Sequence, residues 1–193
     1  MTKSILLVGV GGQGTILASK ILTTGLMEAG YEVKMSEIHG MSQRGGSVSS
    51  QVRYGETVYS PVIETGSADM VVAFEKMEAL RSLDFLKEGG TLVVNNEEIP
   101  SQSVVIGEEE YPDHVLEEIE KHVDKVKVVD ASGMAREMGN EKVANIILLG
   151  TIIRAMGLEQ IHWDHILTDN IKPRFLELNK KALQAGMGAV SAD

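Results

Sequence analysis

Cysteine is absent from the 193-residue sequence. That absence excludes disulfides, a thiolate zinc site, a cysteine nucleophile and any iron–sulfur cluster held by this chain's own cysteines. Aromatic residues are few, with one Trp, four Tyr and three Phe, too few for a surface on which nucleic-acid bases stack. Basic charge is scarce as well. Lys plus Arg number 18 against 28 Asp plus Glu, a formal net charge of −10, whereas nucleic-acid binding draws on a basic surface. Long hydrophobic runs are missing: the most apolar stretch, 146–153, is ended by Arg154 and is far short of a membrane span. The apolar run near the start covers only Ile5 to Val8 before glycines follow, unlike a secretory signal. No nucleic acid and no membrane is expected as a partner, and the expected location is cytoplasmic.

What is present is an ordinary globular composition, 43% hydrophobic and 24% charged, with 20 glycines. A chain of this length buries about 70% of its unfolded surface as one domain. Neither an internal repeat nor a linker divides it, so residues 1–193 are read as one domain, with a small, polar tail from Gly186 expected to fray. Ser4 to Gly9 is a short apolar run that suits a strand buried on both faces. From Gly14 the spacing turns helical, with Leu17, Ile21, Leu22, Gly25 and Leu26 on one side, and Gly30 ends the helix. Tyr31 to Ile38 reads as a second strand. Val48, Ser50, Val52 and Tyr54 then alternate with Ser47, Ser49, Gln51 and Arg53, and Gly55-Glu56 reads as a hairpin turn into Thr57-Val58-Tyr59. Further strands are expected at Asp69 to Phe74, Thr91 to Asn95, Val104 to Ile106 and Val126 to Val129, with helices at Glu75 to Lys87 and about Asp113 to His122. The remainder reads as helical, broken at Pro173. The fold class is therefore α/β: a three-layer domain with a mixed, mainly parallel sheet that includes a β-hairpin.

Two motifs carry chemistry. Gly9-Val10-Gly11-Gly12-Gln13-Gly14 fits G-x-G-x-x-G between a strand and a helix, where glycine lets the backbone approach a phosphate and the helix start offers free N–H groups. Glu37 lies at the end of the second strand, where a Rossmann-type dinucleotide fold binds ribose. A phosphate-bearing ligand, close strand–helix packing and a protein interface all remain open for this loop. The second motif, His39-Gly40-Met41-Ser42-Gln43-Arg44-Gly45-Gly46-Ser47-Val48, has no apolar periodicity. It sets the fork-shaped Arg44, able to grip a carboxylate or phosphate at two points, in flexible backbone. A solvated connection is the plain alternative. His162 and His165 beside Asp164 read as a helix start with surface histidines rather than a metal site. Asn145 reads as a cap or buried hydrogen-bonder, and the helix around it as buried or at a subunit interface.

Val8 to Gly14 and Glu37 to Val48 together resemble the small subunit of the 2-oxoacid:ferredoxin oxidoreductases, as do Tyr59-Ser60-Pro61, the Ala68-Asp69 strand entry with Glu75 after it, and Asn145 to Gly150. The resemblance spans essentially the whole chain. The His39 to Gly46 wording is similar to the beta-type subunit of the arylpyruvate (indolepyruvate) branch, and less so to the gamma subunits of the pyruvate and 2-oxoglutarate branches. It implies a Rossmann-like fold and membership of a complex that oxidatively decarboxylates a 2-oxoacid with coenzyme A as co-substrate. For an arylpyruvate the implied products are an aryl-acetyl-CoA, carbon dioxide and reduced ferredoxin. It further implies that thiamine diphosphate, Mg2+ and 4Fe–4S clusters reside on a larger alpha subunit, with ferredoxin reached through the complex, which can be a dimer of heterodimers. No cofactor is expected on this chain, which has neither cysteine nor the Gly-Asp-Gly and Asn of a thiamine diphosphate site. The residues expected to meet coenzyme A, or to close the partner's active site, are Gly9, Gly11, Gly12, Gln13, Gly14, Ser42, Gln43, Arg44, Gly45 and Gly46. A stand-alone dinucleotide-binding oxidoreductase and a purely structural module are the rival readings.

Overall fold

The computed structural model describes residues 1–39 and 46–191. Strand β1 (Lys3–Val10) leads through a glycine loop into helix α1 (Thr15–Glu28), followed by β2 (Glu32–His39) and β3 (Ser47–Gly55). Next come β4 (Ala68–Ala73), α2 (Lys76–Arg81), β5 (Leu86–Asn95), the short helices α3 (Gln102–Val105) and α4 (Val115–Glu120), and β6 (Val126–Val129). Helices α5 (Ala131–Glu137), α6 (Ala144–Ala155), α7 (Trp163–Asn170) and α8 (Pro173–Gly188) complete the chain. The sheet has six strands in the order β2-β3-β1-β4-β5-β6. β1 runs antiparallel to β3, with Val10 opposite Ser47, and parallel to β4, with Val8 opposite Ala73. β4, β5 and β6 continue in parallel.

Alternation along β1 explains the three layers, because successive side chains leave opposite faces of a strand. Ile5 and Leu7 join a core with α1, α5, α6, α7 and α8. Leu6 and Val8 join a second core on the other face with Ala79 of α2 and with Val115 and Ile119 of α4. α6 is buried all round, with Ile146, Ile147, Leu148, Leu149, Ile152 and Ile153 at 0% exposure, which accounts for its unbroken apolar sequence.

Four local expectations are corrected. The hairpin is β2–β3, with His39 opposite Val48, not a turn at Gly55-Glu56 into 57–59. Both edges of β3 are already taken by β2 and β1, so a third partner has no edge to join. The 57–63 stretch lies instead as a strap, its carbonyls at Ser60 and Val62 accepting from Arg53 Nη1 (3.0 and 3.1 Å) and its Ile63 N–H donating to Gln51 Oε1 (2.6 Å). The expected strand Val104 to Ile106 falls on a helical turn, because Ser101 starts it: its Oγ accepts from the Val104 N–H at 3.4 Å and its carbonyl from the Val105 N–H at 3.0 Å. α2 stops at Arg81, and β5 begins at Leu86, opposite Ala68, with a register shift before Thr91 meets Met70; Gly89, at φ +69°, takes up the extra length. Finally, α8 continues through Gly186 to Gly188, since Gly186 is buried where α8 crosses α6.

Candidate functional site

The β1–α1 loop lies at the C-terminal ends of β1, β4 and β5, and its residues divide into builders and presenters. Gly9 is a builder: a Cβ there would sit 2.9 Å from both Gln13 Oε1 and Phe74 Cβ. Gln13 is another. Its Oε1 accepts from the Val10 N–H and its Nε2 donates to the Phe74 carbonyl, both at 2.8 Å, so the amide ties the loop to the end of β4. The Gly11 N–H donates to the Gly46 carbonyl at 2.9 Å. That bond joins the two sequence motifs, and Gly46 and Ser47 are where the second motif returns to the sheet. Ser42, Gln43, Arg44 and Gly45 lie outside the described residues.

Gly12 and Gly14 face a cleft. Both have left-handed backbones, at φ +105° and +83°, which glycine adopts freely. Gly14 is the N-cap of the 14-residue α1 and brings no side-chain cap, so the first N–H groups of that helix face the opening unsatisfied by a side chain. The 12-residue α6 also starts here, but it runs on from a 3-10 turn, Glu141–Val143, whose N-cap Asn140 accepts from the Lys142 N–H and whose Glu141 carbonyl accepts from the Ala144 N–H. Asn145 on its first turn is 4% exposed. Asn145 Nδ2 donates to the Gly14 carbonyl at 3.3 Å, while Oδ1 is the buried side-chain atom left without a partner among the described residues. Buried acceptors are nearly always satisfied, so this one calls for a donor from outside the described residues, a water or a bound group.

The cleft measures about 530 Å3 and is lined by Gly12, Gly14, Asn95, Ser132, Arg136, Lys142 and Asn145, among others. Asn95 stiffens its floor. It donates to the Phe74 carbonyl and to Ser132 Oγ, both at 3.0 Å, and accepts from the Ser132 N–H at 3.3 Å. Arg136 stands 4.0 Å from Glu97, so the cations at the rim are partly balanced by acids. Asn95, Ser132, Arg136 and Lys142 carried no signal in the sequence, because each comes from a distant segment and none lies in a motif. Asn145 was legible as a buried hydrogen-bonder, but not as one with an open acceptor.

Glu37 does not take the ribose-binding position. It sits on β2, and β3 separates β2 from β1, whereas a dinucleotide fold needs its acidic residue on the strand beside the glycine loop. His162 and His165 flank the start of α7, with His165 Nε2 3.8 Å from Asp169 Oδ2. Among the described residues no group of His, Asp and Glu is placed to hold a metal ion.

Residues 4–189 match the family model described as pyruvate ferredoxin/flavodoxin oxidoreductase. The chain is 37% identical over 193 residues to the indolepyruvate oxidoreductase subunit IorB of Pyrococcus horikoshii, covering 96% of this chain and 95% of that one. It is 30% identical over 196 residues to the 2-oxoglutarate synthase subunit KorC of Methanothermobacter marburgensis, covering 96% and 95%. In fold it is similar to 2-oxoglutarate:ferredoxin oxidoreductase from Magnetococcus marinus, solved with 2-oxoglutarate, coenzyme A and succinyl-CoA bound. There the TM-score is 0.77 at 21% identity, and all of this chain aligns with 32% of the larger one. By its sequence along almost its whole length, and by a matching three-layer fold, the chain belongs to the pyruvate ferredoxin/flavodoxin oxidoreductase family.

Proposed function

We propose that this chain is the small subunit of an indolepyruvate-type 2-oxoacid:ferredoxin oxidoreductase, and that its cleft holds part of coenzyme A at the active site of a larger subunit. Thiamine diphosphate, Mg2+ and the 4Fe–4S clusters belong on that larger subunit, since this chain has no cysteine and, among the described residues, its acids do not converge as ligands. Those groups supply the carbanion and electron-transfer chemistry. This subunit's part is to bind and orient.

The observation that carries the reading is the open Oδ1 of buried Asn145 beside the uncapped start of α1. The start of α1 favours a phosphate, and Asn145 Oδ1 needs an N–H or O–H donor next to it. Coenzyme A offers both, a diphosphate and the amides and hydroxyls attached to it. Arg44, in the segment that rejoins the sheet at Gly46, adds a two-point donor for a phosphate. The coenzyme A bound in the 2-oxoglutarate enzyme of similar fold supports this choice of ligand.

Arg44→Ala and Asn145→Ala in the assembled enzyme test it. Each is expected to raise KM for coenzyme A about tenfold, the factor that goes with losing one hydrogen bond to a charged or buried group, with kcat at saturating coenzyme A retained. Unchanged KM in both variants, with the complex intact, would leave a purely structural module. Purified with its partner, the small subunit should accompany a brown, cysteine-rich chain that carries thiamine diphosphate.

A further inference from the structure

We infer that the end of the sheet onto which the cleft opens is the docking face for the larger subunit, whose counterface is apolar at its centre and basic opposite residues 108–110. The inference deepens the proposed function and rests on its reading of this chain as the small subunit of a complex. What carries it is where the exposed aliphatic side chains stand. Ile16, Ile38, Val105 and Ile106 are between 47% and 68% exposed, although isoleucine and valine are among the residue types most often buried. Ile16, Ile38 and Ile106 are the exposed isoleucines among the described residues, and all three stand at this one end.

Topology brings them there from separate segments. Ile16 is on the first turn of α1, just past the end of β1. Ile38 is next to last in β2, which ends level with β1, since His39 pairs with Val48 and Val10 with Ser47. Val105 and Ile106 lie between β5 and β6, in a segment tied to the strand ends. Buried Glu75, which follows β4, accepts from the Ile99 N–H at 3.3 Å and from the Tyr111 hydroxyl at 2.5 Å. Four inter-strand spacings separate β2 from β5, about 19 Å of sheet. That width fits within one interface of standard size, about 800 Å2 on each partner.

The face has relief and a charge. The cleft opens on the α1 side, and a second hollow of about 430 Å3 opens on the α2 side, lined by Val10, Val104 and Tyr111 among others. Ile99 lines both, so one ridge divides two hollows that a projecting partner fills. Glu108, Glu109 and Glu110 are exposed beside the second hollow. The cations nearby are already taken, Arg81 by Glu78 at 2.7 Å and Lys76 by Glu98 at 2.8 Å, so the acids call for basic groups from outside. A second copy of this chain, with its net charge of −10, is a poor source of them. The larger subunit is the occupant because coenzyme A held in the cleft must reach that subunit's active site. In the relative of similar fold the matching unit is 32% of a longer chain, so there too it is one part among others.

The test co-expresses the full chain with its tagged partner and measures the affinity of assembly by dilution. Ile16→Glu and Ile106→Glu are each expected to weaken assembly at least tenfold, on the order of losing one anchor within an interface. Ile106→Ala, which adds no charge, is expected to weaken it less. Met27→Glu, at the exposed far end of α1, is expected to leave it unchanged. Glu108→Lys with Glu110→Lys is expected to weaken assembly most at low ionic strength, where like charges are least screened; unchanged or tighter assembly overturns the basic counterface. Assembly retained in both Ile16→Glu and Ile106→Glu overturns the docking face, as does a loss confined to contacts between two copies of this chain. The coenzyme A reading is judged separately, by KM in Asn145→Ala. An unchanged KM there ends that reading and leaves the assembly result standing.

Discussion

The glycines of the β1–α1 loop have separate jobs, and substitution should tell them apart. At Gly12, φ +105° with no atom within 4 Å of where a Cβ would stand, alanine meets only backbone strain, on the order of 1–2 kcal/mol. At Gly14, φ +83°, a Cβ would also lie 2.6 Å from Asn145 Nδ2, so alanine adds a clash with the amide that bonds the Gly14 carbonyl. Gly14→Ala should therefore cost more than Gly12→Ala, roughly 2–4 kcal/mol once overpacking joins the strain, and should also weaken coenzyme A binding. Urea denaturation followed at Trp163, the sole tryptophan and 4% exposed, compares the two; equal losses would refute the role given to Asn145. The spacing of glycines was legible in the sequence. What Gln13 does was not, because nothing in a local pattern says that its amide spans from Val10 to Phe74.

Among the elements, the α6–α8 crossing is the tightest. A Cβ on Gly186 would lie 1.9 Å from the Ile147 carbonyl oxygen, and one on Gly150 would lie 2.3 Å from that of Leu183. Backbone cannot yield as a side chain can, so Gly186→Ala or Gly150→Ala should cost about 1–3 kcal/mol or more by overpacking. For a domain of this size that lowers Tm by roughly 2–4 °C per kcal/mol, measurable by a thermal melt. The apolar run of α6 announced a buried helix. Its partner was not announced, since the sequence around Gly186 is small and polar and reads as a fraying end. Residues 57–59 and 104–106 both carry β-branched residues that suit a strand, but 57–59 would pair with β3, which has no open edge left, and 104–106 fall on the helical turn that Ser101 begins.

Across the whole molecule, acid stability should depend on one cross-strand carboxylate. Asp69 at the start of β4 is pushed up by burial, but the Lys87 ammonium (2.5 Å), the Ser4 N–H (2.8 Å) and the Lys3 ammonium (3.3 Å) outweigh that and hold its carboxyl below the usual aspartate value. Because the folded state binds this proton less readily than the unfolded state, Asp69 adds stability above about pH 4, the ordinary aspartate value, and that stability is lost as pH falls through the lower folded value. Denaturation midpoints should therefore drop as pH falls below about 4, and less steeply in Asp69→Asn. An identical slope in the variant would show that other carboxylates dominate. The same ties join the N-terminal end of β1 to β4 and β5, at the opposite end of the sheet from the cleft.

Sequence alone determined what is local or compositional: a strand, a glycine turn and a helix start in a row, a helix apolar all round, and a chain without cysteine that cannot hold an iron–sulfur cluster by thiolates. Periodicity says which face of a strand is buried, not which strand lies beside it. The order β2-β3-β1 was therefore decided only by the tertiary structure. That order removes Glu37 from a ribose-binding position and returns the second motif to the sheet beside Gly11. The cleft was decided there too: Asn145 meets Gly14 across 131 residues, and its open acceptor exists only because packing buries it without a partner among the described residues.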